Sequence, residues 1–261
     1  MHPALWVSKT GLSAQDKQLS TISNNLANVN TNGFKRDRAN FQDLLYQTER
    51  QPGGLSSQNR ELPSGLQLGT GVRIAATSKE HTQGDIKVTE QSLDMAIDGE
   101  GFFQVLMPDG EVNYTRNGEF QINSDGDLVT TNGNLLEPNI NVPDDATSIT
   151  IGQDGTVSAV IDNEEDAQQL GDIELVDFVN PQGLEAIGQN LFRETQASGD
   201  PIVGEPGIDG LGTVEQGMLE GSNVEIVEEM VNMITTQRAF EMNSNVVSTS
   251  DEMLQFINQN L

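Results

Sequence analysis

Leucines recur at seven-residue spacing near the start of the chain, at Leu5, Leu12, Leu19 and Leu26, with Ile22 and Val29 three residues after the last two. The residues between them are mostly Ser, Gln, Lys and Asn. An apolar repeat of seven places one stripe along an α-helix, the pattern of a heptad seam. The spacing predicts a helix of about 28 residues, roughly 40 Å long, with Asn32-Gly33 as its stop signal. The other end of the chain repeats the pattern at Met233, Phe240, Val247, Leu254 and Leu261. There Ser222 and Glu225 have the spacing of a capping box, and Glu225, Glu228 and Glu229 suit the positive end of a helix dipole. A helix of about 39 residues, nearly 60 Å, is expected there.

Both seams carry polar interruptions, Ser8 and Gln15 in the first and Gln237, Ser244 and Asp251 in the second. Helices this marginal are expected to order on assembly rather than alone. A heptad stripe by itself marks any helical bundle. Here the two stripes flank a middle without helical period, so the simplest partners are each other or copies in neighbouring subunits.

The middle reads as β structure. Short runs at 72–77, 93–98, 101–107, 148–152 and 172–178 are separated by Asp109-Gly110, Asn117-Gly118, Asp125-Gly126, Asn132-Gly133 and Asp154-Gly155. Such dipeptides supply the positive φ angles of tight hairpin turns, so an antiparallel, hairpin-rich body is expected. Residues 46–71 carry Pro52, Pro63 and five glycines, which fits either a flexible linker or an extended segment ordered by neighbours. The expected fold class is α+β, with N- and C-terminal helices forming a coiled coil around a central antiparallel β-rich domain. Its divisions are a helical arm at 1–45, the extended segment at 46–71, an acidic β-rich body at 72–219 and a second helical arm at 220–261.

Charge sharpens this division. The chain has 13 basic and 40 acidic residues, a net charge of -27, but residues 1–45 sum to about +2, residues 46–219 to about -23 and residues 220–261 to about -6. So acidic a chain repels nucleic acid and anionic membrane, and neither is expected as a partner. Hydrophobic content of 35% with 5% aromatic is lean for 261 residues in one globule, so part of the chain is expected to pack against other chains.

Candidate chemistry is sparse. There is no cysteine, and only His2 and His81 offer imidazole, which removes thiol nucleophiles and most zinc sites. Gly99-Glu100-Gly101 lacks the later glycine and helix start of a nucleotide loop, being followed by Phe102 and Phe103. Residues 123–127 look like a calcium loop but lack its ligand register and distal glutamate, so a hairpin turn is the better reading. Met230 and Met233 lie on an apolar stripe and read as packing. One Trp and two Tyr are too few for a sugar-stacking cleft, although spacing alone leaves a glycosidase-like carboxylate pair open. No catalytic residue, cofactor, metal or small-molecule substrate is expected, and the chain is not expected to be an enzyme. The first ten residues lack the basic region, apolar stretch and small-residue cleavage site of a secretory signal.

The segment SNNLANVNTNGFK at 23–35 resembles the N-terminal signature of flagellar rod and hook proteins. EGSNVEIVEEMVNMITTQRAFEMNSNVVSTSDEML at 220–254 resembles their C-terminal signature, and DMAIDGEGFF, YTRNGEF and GDLVTTNG in the middle are similar to the same family. The matching positions singled out are Asn24, Asn25, Asn28, Gly33, Phe34, Lys35, Asn223, Gln237 and Arg238. Residues 46–72 resemble the segment that runs along the axis in distal rod members, whereas proximal rod and hook members share both terminal signatures.

The resemblance implies a homo-oligomeric axial polymer whose terminal helices form an inner coiled-coil layer, with a mechanical role in motility. It implies other flagellar rod and hook subunits at the polymer ends, surrounding P and L rings, and delivery by the flagellar type III export apparatus without a cleaved signal peptide. The implied location is the bacterial flagellum basal body, from periplasm to outer membrane. A rival of another class is a secreted β-domain hydrolase or binding module whose helices merely bundle.

Overall fold

Two long helices bracket a strand-rich middle in the computed structural model, which describes residues 3–53, 55–57, 60–61, 64–161 and 167–259. The architecture is α+β. The chain divides into two units, one made of Met1–Ala27, Asp37–Ser78 and Glu225–Leu261, the other of Asn28–Arg36 and Lys79–Val224.

In the first, helical unit, α1 (Pro3–Ala27) and α2 (Ile226–Gln259) pack antiparallel. The direction follows from their contacts: Asn243 Nδ2 donates to Gln15 Oε1 at 3.1 Å, while Asn25 Nδ2 lies 3.5 Å from Glu229 Oε1. Close approach depends on Gly11, where a Cβ would already sit 3.1 Å from Asn243 Nδ2. The start of α2 differs from the one expected at Ser222. The Ser222 hydroxyl instead accepts the Val224 N–H at 3.3 Å, and the first helical turn closes from Glu229 N–H to the Glu225 carbonyl at 3.0 Å. Glu228 and Glu229 still occupy that first turn, where the helix dipole favours negative charge.

Strands Asp37–Asp43 and Val72–Lys79 pair. Between them, Gln47–Arg50 pairs antiparallel with Leu66–Leu68, and Leu55–Ser57 with Arg60–Glu61. Residues 46–71 thus contain a ribbon of paired strands, in which the extended segments 47–50 and 66–68 satisfy each other's backbone N–H and C=O groups. Gly71, at φ +121°, seats the ribbon's return against α1: any side chain there would overlap the Thr10 hydroxyl.

In the second, β unit, Phe102–Leu106 is the central strand. One edge pairs with Val112–Thr115. The other edge is shared by Leu135–Glu137 and Leu175–Asp177, both antiparallel to it. The pleat sends successive side chains to opposite faces. Phe103 therefore joins a core with Met95, Ile97, Leu136, Ile173 and Leu175, while Phe102 joins a second core with Tyr114, Phe178 and Phe192.

Four of the five turn dipeptides close hairpins as expected, with Gly110, Gly126, Gly133 and Gly155 at φ between +83° and +87°. Asn117-Gly118 does not. The strands on either side of it, Val112–Thr115 and Phe120–Ile122, pair with other strands. Thr115 Oγ1 accepts the Asn117 N–H at 3.0 Å, and Asn117 Oδ1 accepts the Glu119 N–H at 3.3 Å, forming a corner instead. Glycine is needed at 118 because the Met95 carbonyl occupies the space a Cβ would take.

Candidate functional site

Within the helical unit, the face of α1 that meets α2 carries Gly11, Gln15 and Asn25, with Ile22 buried beside them. On the same helix Leu5, Leu12, Leu19 and Leu26 are half-buried. At about 100° per residue, those leucines fall on the flank of the stripe holding Gly11, Gln15 and Ile22. On α2, Met233, Val247 and Leu254 are half-buried and Phe240 is 40% exposed, while Leu261 lies outside the described residues. Further round α2, Ile226, Val227, Met230, Val231 and Ile234 are all exposed. Gln237 and Arg238 are exposed on α2, and Asn24 on α1.

Asn25 is almost wholly buried, at 1% exposure. Its amide reads both sides of one residue's backbone: Nδ2 donates to the Asp37 carbonyl and Oδ1 accepts the Asp37 N–H, each at 2.9 Å. A side-chain amide can imitate a strand partner in this way. That fixes the first strand of the unit against the end of α1.

Within the β unit, residues of the two terminal motifs lie side by side. Gly33, at φ +67°, donates its N–H to the Glu220 carbonyl at 2.8 Å, and a Cβ there would lie 2.6 Å from the Asn117 nitrogen. Asn28 caps the neighbouring turn, its carbonyl accepting the Thr31 N–H at 3.1 Å and its Oδ1 the Thr31 hydroxyl at 3.2 Å. Val29 is half-buried, and the ring of Phe34 lies 5.2 Å from Lys79 Nζ. Asn223 Oδ1 accepts the Arg36 N–H at 2.8 Å, and its Nδ2 donates to the Glu80 carbonyl at 2.8 Å and the Thr82 hydroxyl at 3.0 Å.

Beneath this lies a buried ionic cluster. Lys35 Nζ donates to Glu220 Oε1 at 2.5 Å and to the Thr82 carbonyl at 2.8 Å. Glu220 Oε1 also accepts the Gly84 N–H at 2.9 Å, and its Oε2 lies 3.3 Å from Arg116 NH1. Arg116 NH2 donates to the Gly99 carbonyl at 2.9 Å, and its guanidinium lies 5.3 Å from the Phe102 ring centre. The side chains of Lys35 and Glu220 are fully shielded from solvent.

Two cations thus face one carboxylate. Burial, reinforced by Arg116, holds the Lys35 ammonium below its ordinary range against the opposing pull of Glu220. His81 packs edge-on to Phe102 and Phe192 at 5.5 and 5.3 Å. Its imidazole is pushed down to about 4, first by burial and then by Lys35, Arg116 and Lys79. The cluster ties the two terminal motifs together, with its lysine and carboxylate closed off from solvent.

Sequence reading marked Gly33, Lys35 and Asn223 but missed Arg116, Glu220 and His81 as their partners. The available signal was that Glu220 and Arg116 both stand inside the family-like segments 220–254 and 114–120.

Comparison with known proteins agrees with this placement. Residues 5–35 match the family described as "Flagella basal body rod protein", 96–159 the "Flagellar hook protein FlgE/F/G D1 domain", and 215–260 the "Flagellar basal body rod FlgEFG protein C-terminal". The chain is 54% identical over 259 residues to the flagellar basal-body rod protein FlgG of Buchnera aphidicola subsp. Acyrthosiphon pisum (strain APS), covering 99% of this chain and 100% of that protein. It is 48% identical to FlgG of Borreliella burgdorferi over 260 residues, 99% and 98% of the two chains, and 38% identical to FlgG of Bacillus subtilis over 260 residues, 98% and 97%. Identity at this level along the whole length, with the Gly33, Lys35 and Glu220 contacts falling inside the matched segments, means that the chain belongs to the flagellar basal-body rod family, on its FlgG branch.

Proposed function

We propose that the chain is the repeating subunit of the flagellar distal rod, a tubular helical polymer that carries torque from motor to hook. In this reading the terminal helices of neighbouring copies form an inner coiled-coil layer, and the seam residues Leu5 to Val29 and Met233 to Leu261 are its contacts. Other rod and hook subunits join its ends, the P and L rings surround it, and the type III apparatus delivers it unprocessed.

The observation that carries the reading is the unsatisfied helix pair. One antiparallel pair leaves the α1 leucines half-covered and five apolar residues of α2, from Ile226 to Ile234, exposed. A contiguous apolar stripe of that length on a water-soluble unit marks an interaction surface. The buried ionic cluster offers no such surface, since the side chains of Lys35 and Glu220 are shielded from solvent.

The test is assembly of the purified full chain, followed by sedimentation and electron microscopy. Leu19→Asp places a carboxylate in the apolar layer, at a cost of several kcal/mol per contact. It should abolish rods while leaving the β unit folded, whereas Leu19→Met should assemble normally. Rods of ordinary length from Leu19→Asp would remove the seam from the mechanism.

A further inference from the structure

The helical unit holds a groove of about 270 Å³ between α1 and the paired strands, floored by Trp6, Leu44 and Ile74 and rimmed by Lys9, Lys17 and Arg73. Among the described residues, no carboxylate lines it. Lys9 Nζ stands 5.6 Å from the Trp6 ring centre, and Trp6 is 43% exposed, so the floor is an open apolar surface ringed by cations. On α2, Ile226, Val227, Met230, Val231 and Ile234 fall within an arc of about 140°, and Glu241 continues the middle of that arc two turns on. Glu228 flanks the stripe, and Glu228 and Glu241 are both exposed.

We propose that the groove of one copy is the docking site for the 226–241 segment of α2 in a second copy, with the apolar stripe on the floor and its carboxylates on the cationic rim. The inference rests on the self-assembly reading and deepens it by naming which two surfaces meet. Complementarity supports the pairing. Residues 1–45 carry about +2 and residues 220–261 about -6, so like arms repel and unlike arms attract. The length scale also fits. Lys9 and Lys17 lie about 12 Å apart along α1 and Glu228 and Glu241 about 20 Å apart along α2, a difference that flexible lysine and arginine side chains can span. A partner of another kind would need the same acidic, apolar stripe, which this chain already presents on every copy.

A charge swap tests it on the full chain. Lys9→Glu with Lys17→Glu makes the groove acidic, and Glu228→Lys with Glu241→Lys makes the stripe basic. Each double variant alone should raise the concentration needed for polymerisation at least tenfold. An equimolar mixture should polymerise near the ordinary concentration, because acidic grooves then meet basic stripes and basic grooves meet acidic ones. A misfolded variant could not be restored by mixing, so the mixture also controls for folding. Either double variant polymerising like the unaltered chain would overturn the docking, as would loss of assembly in both without rescue. Failure of the unaltered chain to polymerise would overturn the self-assembly reading and the docking with it.

Discussion

Glu220→Leu should destabilise the β unit by about 3–5 kcal/mol, the range for removing one partner of a buried ion pair. Glu220 pairs with both Lys35 and Arg116 and accepts the Gly84 N–H, and neither it nor Lys35 reaches solvent through its side chain. Its removal leaves two buried cations facing each other across an apolar gap. Lys35→Met is a milder change, because Glu220 keeps Arg116 and the Gly84 N–H and the remaining pair stays neutral overall.

The triple variant Lys35→Met, Arg116→Met, Glu220→Leu should recover most of the loss, since a buried ion cluster replaced by apolar groups of similar volume is often close to neutral. The measurement is urea dependence of amide hydrogen exchange in Phe102–Leu106, which reports the β unit directly. Trp6 fluorescence would not, because the only tryptophan lies in α1. Equal losses in Glu220→Leu and Lys35→Met would mean that the net charge of the cluster does not govern its stability.

The parts of the fold legible in the sequence were those fixed by short-range pattern. The repeats from Leu5 to Leu26 and Met233 to Leu254 gave both helices, with α1 ending at Ala27 close to the stop signal. Asp109-Gly110, Asp125-Gly126, Asn132-Gly133 and Asp154-Gly155 gave their hairpins because the turn chemistry is contained in the dipeptide. Asn117-Gly118 looked the same but served a different end, a close approach to the Met95 carbonyl, which no local pattern encodes.

The start of α2 was likewise misplaced because Ser222 and Glu225 have cap spacing, yet Asn223 is committed to Arg36, Glu80 and Thr82, and the stretch up to Glu225 lies outside the helix. The ionic cluster was illegible for a plainer reason: Lys35 and Glu220 stand 185 positions apart, and Arg116 and Glu220 104 apart. Gln15 read as an interruption of a seam, whereas it accepts a hydrogen bond from Asn243 where α1 meets α2, and Asn25, marked only as a family position, binds the backbone of the first strand.

Acidification should weaken the β unit through His81, by about 3 kcal/mol between pH 7 and pH 4. In the folded chain its imidazole is pushed down to about 4, by burial first and by Lys35, Arg116 and Lys79 next, from an ordinary value of 6.5. Between those two values the unfolded chain binds the proton and the folded chain does not. Stability therefore rises with pH across the window and is progressively lost as pH falls through it, levelling off below about 4 where both states are protonated.

The charges acting on His81 are the cations Lys35, Arg116 and Lys79, which oppose a new positive charge, while the nearby Glu220 is committed to Lys35 and Arg116. His81→Phe keeps an edge-on ring against Phe102 and Phe192 and cannot be protonated. Its stability at pH 7 should drop modestly, because the hydrogen bond to the Pro181 backbone is lost. Its pH profile should nevertheless be flatter than that of the unaltered chain by about 3 kcal/mol over the window. The many surface carboxylates titrate in both proteins and cancel in the difference. Parallel profiles from pH 7 to 4, read by the same hydrogen exchange of Phe102–Leu106, would show that His81 reaches water or a counter-charge in the folded chain.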